Sequence, residues 1–273
     1  MTDLPLTLLL GLTRRYPLVR GRDFFYRNFV RGKPLQSRLA RCGNPVPTRR
    51  GFGIFCNGFD YTSDWIKVWG EHETVTEKFL LHHLRGGGAF LDVGANIGYF
   101  SLLVAHEFAG RCPVTAFELN PKICGLLRSS AGCNRGKSAI EIVEAAVSDA
   151  AGELELIVDG ENTGHAFLGA KGTGNVRVAV VKLDDWLAQH PPRARIAAIK
   201  LDVEGCELNA LRGMEATLRE HRPAPVVEVI EDHLRQFGAS ASEVVAFLKS
   251  LGYTEEIPGR DDNLYLVHSE ARA

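Results

Sequence analysis

The chain has 273 residues, of which 45% are hydrophobic and 24% charged, enough to bury a full core as one large domain or as one domain with an extension. The formal net charge of −1 conceals an asymmetry: residues 1–50 carry eleven basic side chains against two acidic ones, a net of +9, and residues 51–273 carry 21 against 31, a net of −10. The basic charge is therefore local, and the six cysteines, with no CxxC pair and no zinc-like spacing to histidine, read as reduced thiols of a cytoplasmic protein.

The apolar run Leu4–Leu12 is too short to span a bilayer, Asp3 spoils a positively charged start, and no small-residue cleavage site follows, so neither secretion nor a transmembrane helix is expected. From Leu4 to Val30, apolar residues (Leu8, Leu9, Leu12, Tyr16, Phe24, Phe25, Phe29) alternate with arginines, and Pro17 and Gly21 divide the stretch into short helical pieces. Such a segment can lie on an anionic membrane surface, through residues 1–35 at the inner face, or pack on the main domain with its arginines solvated. Arg38 to Arg50 reads as a linker. Residues 1–50 are accordingly an N-terminal extension to a domain at 51–273.

Between Gly51 and Gly70, aromatic and β-branched residues surround Asn57-Gly58, which predicts a β-hairpin. Glu71 to Leu84 predicts a helix ending at Gly86-Gly87-Gly88. Ala89-Phe90-Leu91-Asp92-Val93 then predicts a strand, Gly94 to Gly98 a tight turn, and Tyr99 onward a helix. Further strands are expected at Val114–Phe117, Ile140–Val147, Leu154–Val158, Val176–Val181, Ile196–Leu201, Pro225–Ile230 and Asn263–Val267. Helices are expected at Pro121–Ser130, Glu207–Glu220 and Val244–Leu251. Strands alternating with helices imply an α/β fold with a doubly wound, mostly parallel sheet and ligand sites at the carboxyl ends of its strands.

Three motifs line up on that edge. Asp92-Val93-Gly94-Ala95-Asn96-Ile97-Gly98 is a glycine cradle opening a helix, Glu118 follows Gly94 by 24 residues, and Glu144-Ala145-Ala146 ends the third strand. Glu118 is placed to accept both hydroxyl hydrogens of a ribose, and Glu144-Ala145 to flank a flat base. A dinucleotide fingerprint would need glycine where Asn96 and Tyr99 stand, and Asp92 would repel a pyrophosphate. A ligand bearing an ammonium and a sulfonium would instead be attracted, which favours S-adenosylmethionine.

With FELNP, EAAVSD, VKLDDWL and IKLDVEGCELNALRGM, the stretch FLDVGANIGYFSLL resembles the successive motifs of the FkbM-type S-adenosylmethionine-dependent methyltransferases, over roughly Glu73 to Glu231. Leu119 departs from it, standing where the family tends to have proline. The resemblance implies a class I, Rossmann-like methyltransferase fold and O-methylation of hydroxyls on natural products or glycans. It assigns Asp92, Gly94, Asn96 and Gly98 to the methionine part of the cofactor, Glu118 and Asn120 to the ribose, and Glu144 with Ala145 to the adenine. Glu73 is a further candidate for the cofactor's ammonium. Asp92 and Asn120 are equally suited to capping a helix or turn, and Glu144 to ending a strand in solvent.

Chemistry is expected at the end of the Ile196–Leu201 strand, where alternation would bring Lys200, Asp202 and Glu204 toward one side. Asp202 is the first choice for a base or for orienting the acceptor, with Glu204, Glu228 and His165 next. A buried ion pair of Lys200 with Asp202 or Glu204 is the structural alternative. Asn162 and His165, in a glycine-rich loop, are candidates for touching the acceptor. Asp202, Glu204 and Glu228 could gather a divalent cation, as in catechol-type methyltransferases, but no spacing demands it and no metal is assigned. The acceptor is expected to be a small molecule or glycan, lipid-linked if the basic segment reaches a membrane. Nucleic acid is not expected, although a binding module for nucleic acid or an anionic surface on a methyltransferase fold is the alternative to an enzyme.

Overall fold

A computed structural model describes residues 21–32, 43–58, 60–134, 139–158, 166–168, 174–257 and 262–272. Asn162 and His165 lie outside the described residues, as does most of the basic segment. Helix α1 (Arg22–Phe25, continued as a wider π-type turn over Tyr26–Val30) buries Tyr26 and Val30 against Val68 and Trp69. Its first residue, Arg22, pairs with Glu71 and stacks over the Trp69 ring at 5.0 Å.

The hairpin expected around Asn57-Gly58 is not formed. The strand pair lies earlier, β1 (Val46–Pro47) against β2 (Gly53–Ile54), and Tyr61–Trp69 is helix α2. The reason is capping: the Asp60 carboxylate accepts from the Ser63 amide at 2.7 Å and Gly70 closes the helix in the left-handed conformation. Trp65 and Trp69, four residues apart, then share one face and pack on each other. Helix α3 (Thr74–His83) follows at once.

Seven strands form the main sheet, in the order β12-β13-β11-β10-β3-β4-β5. They are β3 (Ala89–Val93), β4 (Val114–Phe117), β5 (Ile140–Val143), β10 (Ile196–Leu201), β11 (Ala224–Glu228), β12 (Tyr253–Ile257) and β13 (Asn263–His268). The five from β11 to β5 run parallel and β13 alone runs against its neighbours. Chain order reverses between β3 and β10, so the crevice beyond their carboxyl ends is the topological switch point where α/β sheets bind ligands. Helix α4 (Tyr99–Phe108) covers one face within a core that includes Phe79, Phe90, Leu103 and Tyr265. The other face buries Leu91, Val93, Ile199, Leu201 and Leu211.

The expected strand Ile140–Val147 breaks at Glu144. Its first half is β5, and its second half, β6 (Ala145–Ser148), joins a separate sheet of order β6-β9-β7-β8 with β7 (Gly152–Val158), β8 (Ala166–Leu168) and β9 (Val176–Lys182). The expected helix Glu207–Glu220 is likewise two, Glu207–Gly213 and Glu215–His221. Gly213 sits so close to the Ser148 carbonyl that a Cβ there would lie 2.0 Å from its oxygen, which fixes the junction between helix and second sheet. Helices Leu183–Gln189 and Glu231–Gln236 and strand β12 have no counterpart among the expected elements. Among the described residues no helix is long and apolar enough to cross a membrane.

The turn after β3 is fixed by backbone contact. Gly94 has φ +80°, and a Cβ there would lie 1.7 Å from the Asp202 carbonyl oxygen; Gly98 has φ +85°, and its Cβ would lie 2.0 Å from Leu127 Cδ1. Gly94→Ala is expected to lower stability by at least ~2 kcal/mol through left-handed strain and overpacking, read as a shifted urea midpoint at unchanged m-value.

Candidate active site

Strand register builds the site. Val93 pairs with Phe117 and Leu201, Phe117 with Val143, and Leu201 with Val227. The next residue on each strand is therefore Gly94, Glu118, Glu144, Asp202 or Glu228, one row along the carboxyl edge. One rung below, Asp92 stands beside Lys200.

Asp92 is 1% exposed. Its Oδ2 accepts from the Ser101 amide at 3.0 Å and the Ser101 hydroxyl at 2.6 Å, capping α4, while Oδ1 is buried without a hydrogen-bond partner. Burial pushes its carboxyl up to about 6, with Ser101 and Lys200 acting in the opposite direction. Glu118, also buried, accepts from the amides of Asn96 and Asn120, each at 2.8 Å. Burial raises it to about 7 against those backbone bonds. A carboxylate has about four acceptor sites, so two remain for hydroxyl donors. Asn96 contributes mainly through its backbone: at φ 52° its amide reaches Glu118, and its Oδ1 accepts from Ile97 at 2.8 Å. Asn120 caps helix α5 (Pro121–Cys133) by accepting from the Lys122 amide at 3.0 Å. Glu144 points outward to Arg128 at 2.9 Å, whereas Ala145 is buried.

Lys200 is 3% exposed, and its ammonium donates to Asp202 Oδ2 at 2.7 Å and lies 5.3 Å from the Phe100 ring centre. Burial alone would lower its pKa, but the charges of Asp202, Glu73 and Asp92 outweigh it and hold the amine protonated. Glu73 is placed reciprocally: burial opposes its ionisation, and Lys200 and His72 overcome it, leaving it well below the usual carboxylate range. Its Oε2 accepts from Thr76 Oγ1 at 2.9 Å, and that hydroxyl meets Tyr265 at 2.9 Å. Glu228 is pushed well above the ordinary range by burial and by the adjacent Asp202, to which it is hydrogen-bonded.

Glu204 departs from the expected grouping. It lies past the strand, in a turn with φ 53°, with its side chain 78% exposed, and its Oε2 is 3.2 Å from His233 Nδ1 rather than beside Lys200. His233, Thr76, His72 and Tyr265 join the site unannounced by sequence; nothing in Glu231-Asp232-His233 carries a local signal.

A turn of this kind at the switch point, carboxylates on the next strands and a buried Asp92 Oδ1 in need of a partner fit a cationic cofactor with a ribose. They define a class I methyltransferase, an enzyme dependent on S-adenosylmethionine. The family profile of the Methyltransferase FkbM domain matches residues 92–255, and the chain belongs to this family. It is 29% identical over 216 residues to the 31-O-demethyl-FK506 methyltransferase FkbM of Streptomyces tacrolimicus, covering 67% of this chain and 80% of that one. It is 26% identical over 155 residues to methyltransferase sdnD of Sordaria araneosa, covering 46% of this chain and 60% of that one, less than two thirds of its length. Among solved structures, methyltransferase FkbM of Methylobacillus flagellatus KT is similar at 18% identity and a TM-score of 0.45, over 67% of this chain and 44% of that one.

Lys200→Met removes the buried ammonium and leaves Asp202 and Glu73 uncompensated. Stability is expected to fall by about 3–5 kcal/mol at pH 7.5, and by less at pH 5 where protonation relieves the carboxylates, measured by urea denaturation at both values.

Proposed function

We propose that the chain transfers the methyl group of S-adenosylmethionine to a hydroxyl oxygen of a sugar or small natural product at the Asp202 edge. The observation that carries this reading is the position of Asp202, fixed between the Lys200 ammonium and the Glu228 carboxyl at the switch point, with 24% of its side chain still open to solvent. The name of the Streptomyces relative, whose acceptor is a demethylated oxygen, supports it.

Bound in the cradle, the cofactor supplies an activated methyl group. Glu118 would accept from its ribose hydroxyls, Asp92 and Glu73 would hold its ammonium, and Ala145 with Glu144 would border its base. The chemistry supplied there would be transfer of the methyl group from sulfur to the acceptor oxygen, and Asp202 would take the hydroxyl proton. Lys200 keeps Asp202 oriented toward the acceptor. Alignment of the two reactants supplies up to about 7–11 kcal/mol, and the base typically ~100- to 10,000-fold.

Calorimetry with S-adenosylhomocysteine tests the cradle: Asp92→Ala and Glu118→Ala are expected to abolish binding, and retained binding in both would refute these assignments. Ribose hydroxyls donate to ionised Glu118, whose carboxyl is raised to about 7 in the ligand-free fold. Affinity is therefore full above that pH and falls as pH drops through it, and Glu118→Gln leaves only the lower dependence of Asp92, whose carboxyl is raised to about 6. A screen of sugar and natural-product hydroxyls with labelled cofactor identifies the acceptor; transfer only to nitrogen or carbon would overturn the oxygen assignment.

We also propose that α1 meets an anionic membrane. Phe24 is 66% and Phe29 54% exposed, beside exposed Arg27 and Arg31, the aromatic and basic pairing of interfacial segments. The full chain is expected to float with anionic but not zwitterionic vesicles, and Phe24→Ser with Phe29→Ser to reduce flotation; equal flotation of both proteins would exclude this surface.

A further inference from the structure

We propose that Thr76 and Tyr265 are positioning residues for the amino-acid end of the cofactor: their hydroxyls, bonded in series, hold the Glu73 carboxylate where the ammonium arrives. The inference rests on the reading of the cradle as a site for S-adenosylmethionine with Glu73 as a partner of its ammonium, and adds to it the groups that fix Glu73.

Glu73 begins α3 in a conformation its residue type seldom takes. Its φ of 40° and ψ of 68° are left-handed, and its side chain does not cap the helix it precedes. A residue other than glycine is strained there and persists only where its surroundings hold it. Side chains do the holding. Oε1 lies 3.2 Å from His72 Nε2 and Oε2 accepts from Thr76 Oγ1 at 2.9 Å, while 23% of the side chain stays open to solvent. A carboxylate has about four acceptor positions, so room for a ligand donor remains.

Charge sets the direction of the two bonds. Glu73 is ionised beside Lys200 and His72, and an ionised carboxylate can only accept. A threonine hydroxyl has one hydrogen to give. Thr76 therefore gives it to Glu73 and receives from the Tyr265 hydroxyl, 2.9 Å away. Both residues are buried, Thr76 at 0% and Tyr265 at 1% exposure, and away from water each bond of such a chain polarises the next. Two neutral hydroxyls orient the carboxylate without adding a further cation to compete with the ammonium.

The far end of the relay is anchored in the sheet. Tyr265 on β13 pairs with Val226, Val226 with Lys200, and Lys200 with Asp92. Paired residues share a face, so Tyr265, Lys200 and Asp92 stand in one row on the side where α3 packs. Phe79 of α3 meets the Tyr265 ring edge-on at 5.4 Å, which keeps the phenol beneath that helix. The two carboxylates assigned to the ammonium thereby share one frame: Asp92 lies on the row, and Glu73 is tied to its other end through Thr76.

Calorimetry of the full chain with two ligands tests the relay. S-adenosylhomocysteine carries the amino-acid end; methylthioadenosine has the same nucleoside and sulfur without it. Thr76→Val is expected to weaken S-adenosylhomocysteine binding by about tenfold and Tyr265→Phe by about threefold, the range of hydrogen bonds to a charged group and behind it. Methylthioadenosine affinity is expected to be unchanged in both. Thr76→Ser, which keeps the hydroxyl, is expected to restore S-adenosylhomocysteine affinity. Equal weakening of the two ligands in Tyr265→Phe, or unchanged S-adenosylhomocysteine affinity in both variants, would overturn the relay and leave the methyltransferase reading standing. Failure of the wild-type chain to bind either ligand would strike that reading instead.

Discussion

Charge balance around one buried ammonium governs the site. Lys200 is held among Asp202, Glu73 and Asp92, and each partner arrives from a different part of the fold. Strand β10 brings Lys200 and Asp202, its neighbour β3 brings Asp92 one pairing position away, and Glu73 is delivered at the start of α3. A buried charge without its counterion costs several kcal/mol, so neither the carboxylates nor the lysine is tolerable alone. The electrostatic cluster therefore ties the pairing of β3 with β10 to the docking of α3.

The same cluster separates the carboxyl groups by role. Glu73 is kept ionised by Lys200 and His72, whereas burial raises Glu118 and Asp92 against the backbone and serine donors that favour their ionised forms. Glu228 is raised by burial and by the charge of the neighbouring Asp202. Similar residue types thus differ because burial, hydrogen-bond donors and neighbouring charges differ around each.

The central strands were legible because parallel strands covered on both faces read as near-continuous apolar runs, broken only by Asp92 in Ala89–Val93 and Lys200 in Ile196–Leu201. Asp92, Glu118 and Asp202 could be found since each ends or follows such a run. Other features depended on contacts distant in sequence. Asn57-Gly58 carries a strong local hairpin signal, but the Asp60 cap and the packing of Trp65 on Trp69 favour a helix beyond it. Ile140 to Val147 reads as one β-prone stretch in sequence, and its pairing partners, β4 for the first half and β9 for the second, divide it at Glu144. Tyr265 reaches Thr76 from 189 residues away and His233 meets Glu204 across two elements, so neither leaves a trace in local pattern. The cradle glycines were recognised for the space they leave a ligand, yet Gly94 and Gly98 are required first by the Asp202 carbonyl and Leu127.

That seating of Gly94 on the Asp202 carbonyl makes the loop after β3 and the end of β10 a single backbone frame. The interval between the turn after β3 and Asp202 is consequently set by main-chain contact. Variation in what is methylated must then come from the segments hung around the frame. On the proposed reading, those segments would bring the acceptor to the frame.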